Sequence, residues 1–145
     1  MLPSAILFAC TMNTVRSPMA AALMRHLTAK GVYVESAGVR AGALDPLAVE
    51  AMEEIGLEIG KHKPRRFEDL EDGSFDLVIT LSPEAQHKAV ELTRTAATKV
   101  EYWPTIDPTA VEGSREQRLA AYRAVRDQLL ERLKKRFLAA KAADT

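Results

Sequence analysis

The residues best suited to chemistry lie near the amino terminus, where Cys10 is followed by Arg16 and Ser17. Cys10 is the only cysteine of the 145-residue chain. A thiolate is a strong nucleophile, and a guanidinium group pairs with two oxygens of a tetrahedral oxyanion. The spacing therefore predicts a site in which Arg16 holds an oxyanion that Cys10 attacks.

The segment from Cys10 to Ser17 is predicted to be a loop that joins a buried strand to a helix. The apolar run Ala5–Ala9 is typical of a strand buried on both faces of a parallel sheet, and Ser17-Pro18 is a typical capped helix start. Backbone N–H groups in such a loop converge on one small anion. We expect the helix dipole and the Ser17 hydroxyl to stabilise the Cys10 thiolate. The predicted anion-binding residues are Thr11, Met12, Asn13, Thr14, Val15 and Arg16.

Asp107 is the best candidate for a general acid at the same site. A thiolate that attacks phosphorus displaces an oxygen, and a carboxylic acid opposite the nucleophile supplies the proton that this oxygen needs. Asp107-Pro108 lies in the loop between the last predicted strand and the last helix. Because the carboxyl ends of parallel strands lie at one edge of a sheet, we expect this loop to face Cys10.

Strands and helices alternate along the chain, which predicts a three-layer α/β/α sandwich around a four-stranded parallel sheet. The predicted strands are the apolar run that ends at Cys10 and residues 32–37, 75–80 and 100–103. The predicted helices follow the caps Ser17, Asp45, Ser82 and Ser114, and Gly31 and Gly56 end the first two. The last helix has the strongest pattern, because a capping box at residues 114–117 precedes apolar residues at steps of three and four.

Composition and charge limit the possible functions. The hydrophobic content of 47% suits one domain over residues 1–145, and 20 basic residues balance 20 acidic ones, so nucleic acid and anionic membranes are unexpected partners. A single cysteine excludes an internal disulfide and a multi-cysteine metal site. The chain has no apolar run of membrane-spanning length and no signal-peptide pattern. We therefore expect a cytoplasmic protein without metal or cofactor.

Charge is unevenly distributed along the chain. Residues 45–76 hold ten acidic and four basic side chains, whereas residues 115–136 hold eight basic and three acidic ones. Opposite charges of this kind can join two copies, but solvated helix faces have the same pattern. We expect a monomer.

The chain resembles the low-molecular-weight protein tyrosine phosphatase family over nearly its whole length. The family loop is a cysteine, five residues, an arginine and a serine or threonine, usually followed by Pro-Met-Ala, and residues 10–20 have this form. The resemblance implies that Cys10 is the nucleophile, Arg16 binds phosphoryl oxygens, Ser17 stabilises the thiolate and Asp107 is general acid and then general base. It also implies that Asn13, Ser36 and His62 support the loop.

Three positions depart from the family pattern. The family usually has glycine where this chain has Met12, and many members have a second cysteine where it has Val15. An acidic residue often follows the third strand, where this chain has Ser82. A Cβ at position 12 is expected to crowd the loop or to fill its edge, and Cys10 lacks a neighbouring thiol that could protect it from overoxidation.

The resemblance implies that the substrate is a phosphorylated protein or a small phosphomonoester, and that phosphate-like anions bind. Family members that prefer phosphotyrosine have aromatic residues on the rim of the cleft and after the Asp-Pro pair. The residues at these places in this chain, 39–42 and 109–110, are small or charged. Stacking on a phosphotyrosine ring is therefore expected to be weak. Tyr102 and Trp103 are alternatives for that contact, although a tryptophan at a strand end is more often a core residue. Arg40 is a candidate contact for an anionic substrate.

Two other functions fit the same residues. Thiol-coupled arsenate reductases share this loop, and arsenate has the size and charge of phosphate. With one cysteine, such a reaction requires an external thiol such as glutathione or mycothiol. A non-catalytic anion-binding module is the other alternative.

Overall fold

The computed structural model of the chain describes residues 2–29, 31–71, 74–94 and 96–139, so Met1 and residues 140–145 of the predicted domain lie outside the described residues. The strands are β1 (Ala5–Cys10), β2 (Tyr33–Gly38), β3 (Leu77–Thr80) and β4 (Lys99–Tyr102). The helices are α1 (Arg16–Thr28), α2 (Pro46–Glu53), α3 (Pro83–Leu92) and α4 (Arg115–Leu133). A π-helical turn, Lys134–Ala139, continues α4, and 3-10 turns occupy Phe67–Asp69 and Pro108–Ala110.

The four strands form one parallel sheet in the order β2-β1-β3-β4. Cys10, the last residue of β1, pairs with Gly38 of β2, and Ala9 pairs with Thr80 of β3. Cys10 therefore lies at the middle of the carboxyl edge of the sheet, where ligands bind in folds of this kind. This topology confirms the predicted fold class.

The two faces of the sheet are covered by different helices. One core joins β1 and its neighbours to α1, α2 and α4, and a smaller core on the other face includes Ala85 and Ala89 of α3 with Phe67. The predicted core stripe of the last helix is buried, comprising Leu119, Tyr122, Val125, Leu129, Leu133 and Phe137. Within the described residues, no helix has the length and apolar character needed to cross a membrane.

Three of the four predicted helix caps are confirmed. The side chains of Asp45, Ser82 and Ser114 accept hydrogen bonds from backbone N–H groups in the first turns of α2, α3 and α4. Ser114 forms the predicted capping box with Gln117. These bonds satisfy N–H groups that would otherwise lack partners at the helix ends.

The predicted ends of α1 were wrong. The helix begins at Arg16 with Val15 at the cap position, because the Ser17 hydroxyl is engaged by Cys10 and Asn13 instead of by the helix. It ends at Thr28, three residues before Gly31, because Ala29 already adopts a positive φ of 53°.

Smaller differences concern strand bounds and two apolar side chains. Strand β3 begins at Leu77 instead of Phe75, and just before it the Asp76 carboxylate accepts hydrogen bonds from the backbone N–H groups of Ser4 and Ala5. Strands β2 and β4 are displaced by one residue from their predicted bounds. Ile55 and Leu92 continue the apolar spacing that predicts the buried faces of the second and third helices, but they are 39% and 54% exposed. Ile55 lies beyond the end of α2, and Leu92 is the last residue of α3.

The oppositely charged segments meet within the chain, between α2 and α4. Arg123 and Arg126 both pair with Glu54, and Arg115 pairs with Glu50. Arg126 is also a hydrogen-bond donor to the carbonyl of Ala51 at 2.7 Å. The charge pattern therefore has an explanation in helix packing that requires no second copy.

Glu54 makes the stability of the fold sensitive to acid. Its hydrogen bond with Arg123 lowers its pKa to about 2, with Arg126 contributing in the same direction. A carboxyl whose pKa falls on folding stabilises the fold above its unfolded pKa, and that contribution is lost as the pH drops toward 2. We expect Glu54→Gln to flatten the loss of stability between pH 4.5 and 2, measured by urea denaturation at several pH values. Glu53→Gln, on the exposed side of α2, is the control and should leave the slope unchanged; equal slopes in wild type and Glu54→Gln would contradict the assignment.

Candidate active site

The loop between β1 and α1 turns its carbonyl groups outward. The carbonyls of Cys10, Thr11, Met12 and Thr14 accept hydrogen bonds of 2.9 to 3.3 Å from backbone N–H groups of residues 39–45. The N–H groups of residues 11–15, by contrast, donate no hydrogen bond to any of the described residues. Together with the free N–H groups of the first turn of α1, they form a set of donors suited to one small anion.

Cys10 lies at the base of this loop, only 2% exposed, with its Sγ 2.9 Å from Ser17 Oγ. A cavity of about 90 Å³ is formed there, lined by Cys10, Met12, Thr14, Val15, Arg16, Asp107 and Thr109. The predicted nucleophile, anion-binding arginine and acid thus share one cavity. Two predicted anion-binding residues, Thr11 and Asn13, are absent from its lining. Ser17, Ser36 and His62 are also absent, and each is hydrogen-bonded to Asn13.

Asn13 is the centre of this supporting network. It is fully buried, with a left-handed backbone φ of 57°, a conformation that asparagine tolerates better than most residues. Its Oδ1 accepts the backbone N–H of Arg65 at 3.0 Å, which fixes the orientation of the amide because a backbone N–H only donates. Its Nδ2 donates to Ser17 Oγ at 2.8 Å and to Ser36 Oγ at 3.0 Å.

This orientation sets the direction of the hydrogen bonds between His62 and Cys10. His62 Nε2 lies 2.9 Å from Asn13 Oδ1, which has no proton, so Nε2 is the donor. Ser17 Oγ accepts from Asn13, and its own proton has two acceptors within reach, Cys10 Sγ at 2.9 Å and the carbonyl of Ala37 at 3.5 Å. When Cys10 is a thiolate it can only accept, so Ser17 is then the donor of the shorter bond. Burial, followed by the charge of Arg25, lowers the pKa of His62, which favours a neutral ring with its proton on Nε2. The network therefore ends in a donor that stabilises a thiolate.

Arg16 and Asp107 meet on the other side of the cavity. The Arg16 side chain is 10% exposed, and it donates to the carbonyl of Thr105 at 3.1 Å. Its second terminal nitrogen lies 3.8 Å from Asp107 Oδ2. Asp107 Oδ1 accepts the N–H and hydroxyl of Thr109 at 3.0 and 2.7 Å, so Oδ2 is the oxygen available to a substrate.

Met12 does not distort the loop. Apart from glycines, Asn13 and Ala29 are the only described residues with a positive φ. The backbone at Met12 therefore has an ordinary conformation that does not require glycine. The Met12 side chain is 37% exposed and packs over Gly42, where an added Cβ would lie 3.1 Å from Met12 Cε. The predicted crowding is therefore avoided, and Met12 fills an edge of the site.

Ser82 has a supporting role that the sequence did not indicate. Thr11 Oγ1 donates to Ser82 Oγ at 3.0 Å, and the same oxygen caps α3 by accepting from Ala85 N. A serine can therefore hold the loop against α3 in the place where the family often has an acidic residue.

Other supporting contacts also join residues far apart in the sequence. Arg65 Nε donates to the carbonyl of Ser36 at 3.1 Å, and Arg65 pairs with Glu35. Asp45 donates its backbone N–H to Thr14 and accepts the hydroxyl of Tyr122 at 2.5 Å. No local sequence signal identifies these contacts, since each depends on chain segments that meet only in the folded protein.

The residues considered for substrate selection have different positions. Trp103 is a core residue, 4% exposed, with Arg132 4.7 Å above its ring, whereas Tyr102 is 37% exposed. Arg40 forms a two-bond ion pair with Glu84 at 3.1 and 3.2 Å. Among the described residues, no group of three or more His, Cys, Asp or Glu side chains is arranged to hold a metal ion.

The role of Asn13 can be tested by two substitutions. Both substitutions remove the four hydrogen bonds of the Asn13 side chain. Glycine adopts the positive φ of this position without strain, whereas alanine does not. We expect Asn13→Gly to lower the free energy of unfolding by about 2–4 kcal/mol. Asn13→Ala should cost roughly a further 1 kcal/mol because of its Cβ. Urea denaturation measures both values, and a stable Asn13→Gly protein would show that the network contributes little.

Comparisons with known proteins agree with this geometry. Residues 5–144 match the model of the low molecular weight phosphotyrosine protein phosphatase family. An arsenate reductase of Shouchella clausii is 38% identical over 131 residues, covering 90% of this chain and 92% of that protein.

Solved structures include relatives of two activities. The YwlE arginine phosphatase from Geobacillus stearothermophilus has a TM-score of 0.78 at 29% identity, covering 98% of this chain and 94% of that one. An arsenate reductase in the phosphate-binding state has a TM-score of 0.70 at 28% identity, covering 94% and 97%. With its loop, its sheet topology and this match across nearly its whole length, the chain belongs to the low molecular weight phosphotyrosine protein phosphatase family.

Proposed function

We propose that the chain is a cysteine-dependent phosphatase that forms a cysteinyl-phosphate on Cys10. One observation carries this proposal: Cys10, Arg16 and Asp107 line a single small cavity beside the backbone N–H groups of residues 11–15, which donate to no residue in the described part of the chain. The cavity thus combines a nucleophile, an anion site and a proton donor, which are the three requirements of phosphoryl transfer to sulfur.

In the first step, the phosphoryl oxygens bind to the N–H groups of residues 11–15 and to Arg16. The Cys10 thiolate attacks phosphorus, an S–P bond forms, and the bond from phosphorus to the leaving group breaks. Asp107 Oδ2 gives its proton to the leaving group. The Arg16 guanidinium, held by the Thr105 carbonyl, is already oriented for the developing charge.

In the second step, water attacks the phosphorus of the cysteinyl-phosphate. The Asp107 carboxylate takes a proton from this water, the S–P bond breaks, and phosphate leaves. The Cys10 thiolate is restored, with the Ser17 hydroxyl as its hydrogen-bond donor. Asp107 therefore acts once as an acid and once as a base.

The substrate is a phosphorylated protein or a small phosphomonoester. Buried Trp103 is not available to stack on a substrate ring, and the cavity lining holds aliphatic and polar side chains. This lining supports a weak preference for aryl over alkyl leaving groups. Because one structural neighbour is an arginine phosphatase, a phosphoarginine peptide belongs in the substrate panel beside a phosphotyrosine peptide.

Arsenate reduction is the second candidate, favoured by the names of relatives such as that of Shouchella clausii. Cys10 would attack arsenate, forming an S–As bond while one As–O bond breaks and its oxygen leaves as water. An external thiolate would then attack Cys10 Sγ, releasing arsenite and leaving a mixed disulfide, which a second thiol would reduce. The two thiols supply the two electrons that arsenate accepts, since the chain has no other cysteine.

The test is to assay both activities in one preparation. Hydrolysis of p-nitrophenyl phosphate is measured at mildly acidic pH with EDTA and fresh reductant, and arsenite formation is measured with arsenate and glutathione. We expect hydrolysis without arsenite. Arsenite without hydrolysis would identify a reductase, and vanadate binding with neither product would identify an anion-binding module.

Replacement of Arg16 tests the anion site. Arg16→Lys keeps the positive charge but loses the planar pair of donors, so we expect inhibition by vanadate to weaken roughly ten- to hundred-fold. Arg40→Lys is the matched control, because Arg40 pairs with Glu84 outside the cavity lining. Equal inhibition of Arg16→Lys and wild type would move the anion site elsewhere.

We also propose that the chain acts as a cytoplasmic monomer. A free cysteine nucleophile is suited to a reducing compartment. The pairing of α2 with α4 uses charges that would otherwise be available to a second copy.

A further inference from the structure

A second cavity, of about 420 Å³, lies outside the proposed active site. It is formed where one face of α1, from Pro18 to His26, and Ser36 of β2 meet the segment that follows α2. It shares no lining residue with the cavity at Cys10. Two of its lining residues, Ser36 and His62, nevertheless belong to the network that supports Cys10.

The lining of this second cavity is rich in basic side chains, namely Arg25, His26, Lys61 and His62. Among the described residues, no carboxylate lies within ion-pair distance of any of the four. The one acidic lining residue is Glu58, which accepts the backbone N–H of Gly60. Positive charge therefore exceeds negative charge at this cavity.

Hydrogen bonding leaves polar atoms of the lining free for a ligand. His62 uses Nε2 on Asn13, and its Nδ1 forms no hydrogen bond with the described residues. Ser36 Oγ accepts from Asn13, and no described residue accepts its proton. One terminal nitrogen of Arg25 donates a hydrogen bond of 2.7 Å to the carbonyl of Val34, and this bond orients the guanidinium.

The remaining wall is apolar and includes Ala22, Leu57 and Ile59. A ligand that satisfies both walls has an anionic group and an adjoining hydrocarbon part. We propose that this cavity is a second anion-binding site, for a small organic phosphate or carboxylate, in which protonated His62 completes the set of cationic groups.

The charges around His62 explain why the anion and the proton bind together. Arg25 and His26 line the cavity beside His62 from α1, and Glu58 and Lys61 line it from the segment after α2. Arg65, whose backbone N–H shares Asn13 Oδ1 with His62, has its side chain paired with Glu35. Burial lowers the pKa of His62, and Arg25 lowers it further. An anion in the cavity opposes both effects, so each binding event favours the other.

The probe is benzylphosphonate, an organic anion whose P–C bond is not a phosphate ester. Titration of the three histidines by NMR gives a pKa for each ring, and His87 on α3 is an internal control outside the cavity. We expect benzylphosphonate to raise the pKa of His62 by about one pH unit and to change the ring chemical shifts of His26, while the chemical shifts of His87 stay the same. Affinity should rise as the pH falls.

Benzylphosphonate also binds at Cys10 if the proposed function is correct, so the two sites must be separated. In wild-type protein saturated with vanadate, the His62 and His26 shifts should persist. In the Arg25→Gln, Lys61→Gln double variant they should be lost. No shift in wild type, or a shift that survives in the double variant, would overturn the second site without bearing on catalysis at Cys10.

Discussion

Cys10→Ser protein is expected to lose hydrolysis of p-nitrophenyl phosphate by roughly 10⁴-fold or more, because removal of a nucleophile leaves only binding and electrostatic effects. The serine hydroxyl is a much weaker nucleophile than a thiolate in the same hydrogen-bonding environment. The anion site should remain, since Arg16 and the N–H groups of residues 11–15 are unchanged. Steady-state kinetics and calorimetric titration with phosphate measure the two properties separately.

The single cysteine gives this experiment a clean control. Alkylation of wild-type protein by iodoacetate can modify only one thiol, and phosphate should protect that thiol if it lies at the anion site. Activity that survives in Cys10→Ser, or alkylation that phosphate does not slow, would remove Cys10 from the mechanism.

Asp107→Asn is expected to have an effect that depends on the leaving group. Phenyl phosphate needs a proton on its leaving oxygen, so its hydrolysis should fall roughly 10²- to 10⁴-fold. p-Nitrophenolate is stable without that proton, so formation of the phosphoenzyme from its ester should slow much less. The amide keeps the shape of the side chain, including the oxygen that accepts from Thr109.

The measurement is a comparison of pre-steady-state bursts with the two esters. Glu112→Gln, an exposed carboxylate near the same loop, is the matched control and should leave both bursts unchanged. Equal losses for the two esters in Asp107→Asn would assign Asp107 a role other than proton transfer.

The parts of this fold that could be predicted are those with local signals. Ser114 and Gln117 cap α4 because a serine hydroxyl and a glutamine amide satisfy N–H groups three residues apart. The apolar run before Cys10 forms the central strand because both of its faces are buried. These patterns place Cys10, Arg16 and Asp107 at one edge of the sheet without knowledge of any distance.

Prediction failed where a side chain can form hydrogen bonds either with its own helix or with a distant residue. Ser17 has the sequence features of a helix cap, but its hydroxyl is taken by Cys10 and Asn13, so the helix begins one residue before it. The same limit applies to Ser82, which supports Thr11 in addition to its predicted capping role. Competition between a local and a distant partner depends on the folded geometry.

Contacts between distant segments could not be predicted from one sequence. Arg65 reaches Ser36 across 29 positions, and Tyr122 reaches Asp45 across 77. Hydrogen bonds of this kind require an orientation that residue type alone does not specify. The family resemblance indicated Asn13, Ser36 and His62, but the direction of their hydrogen bonds comes from the backbone N–H of Arg65.

The cysteinyl-phosphate on Cys10 is tested most directly by trapping it as a covalent intermediate. Wild-type protein is mixed with phenyl or p-nitrophenyl phosphate, quenched rapidly, and analysed by mass spectrometry under conditions that preserve thiophosphate esters. We expect one added phosphoryl group, located on Cys10 by peptide mapping and absent from Cys10→Ala, which has no nucleophile at this position. Turnover without any phosphoryl group on Cys10 would contradict the proposed mechanism.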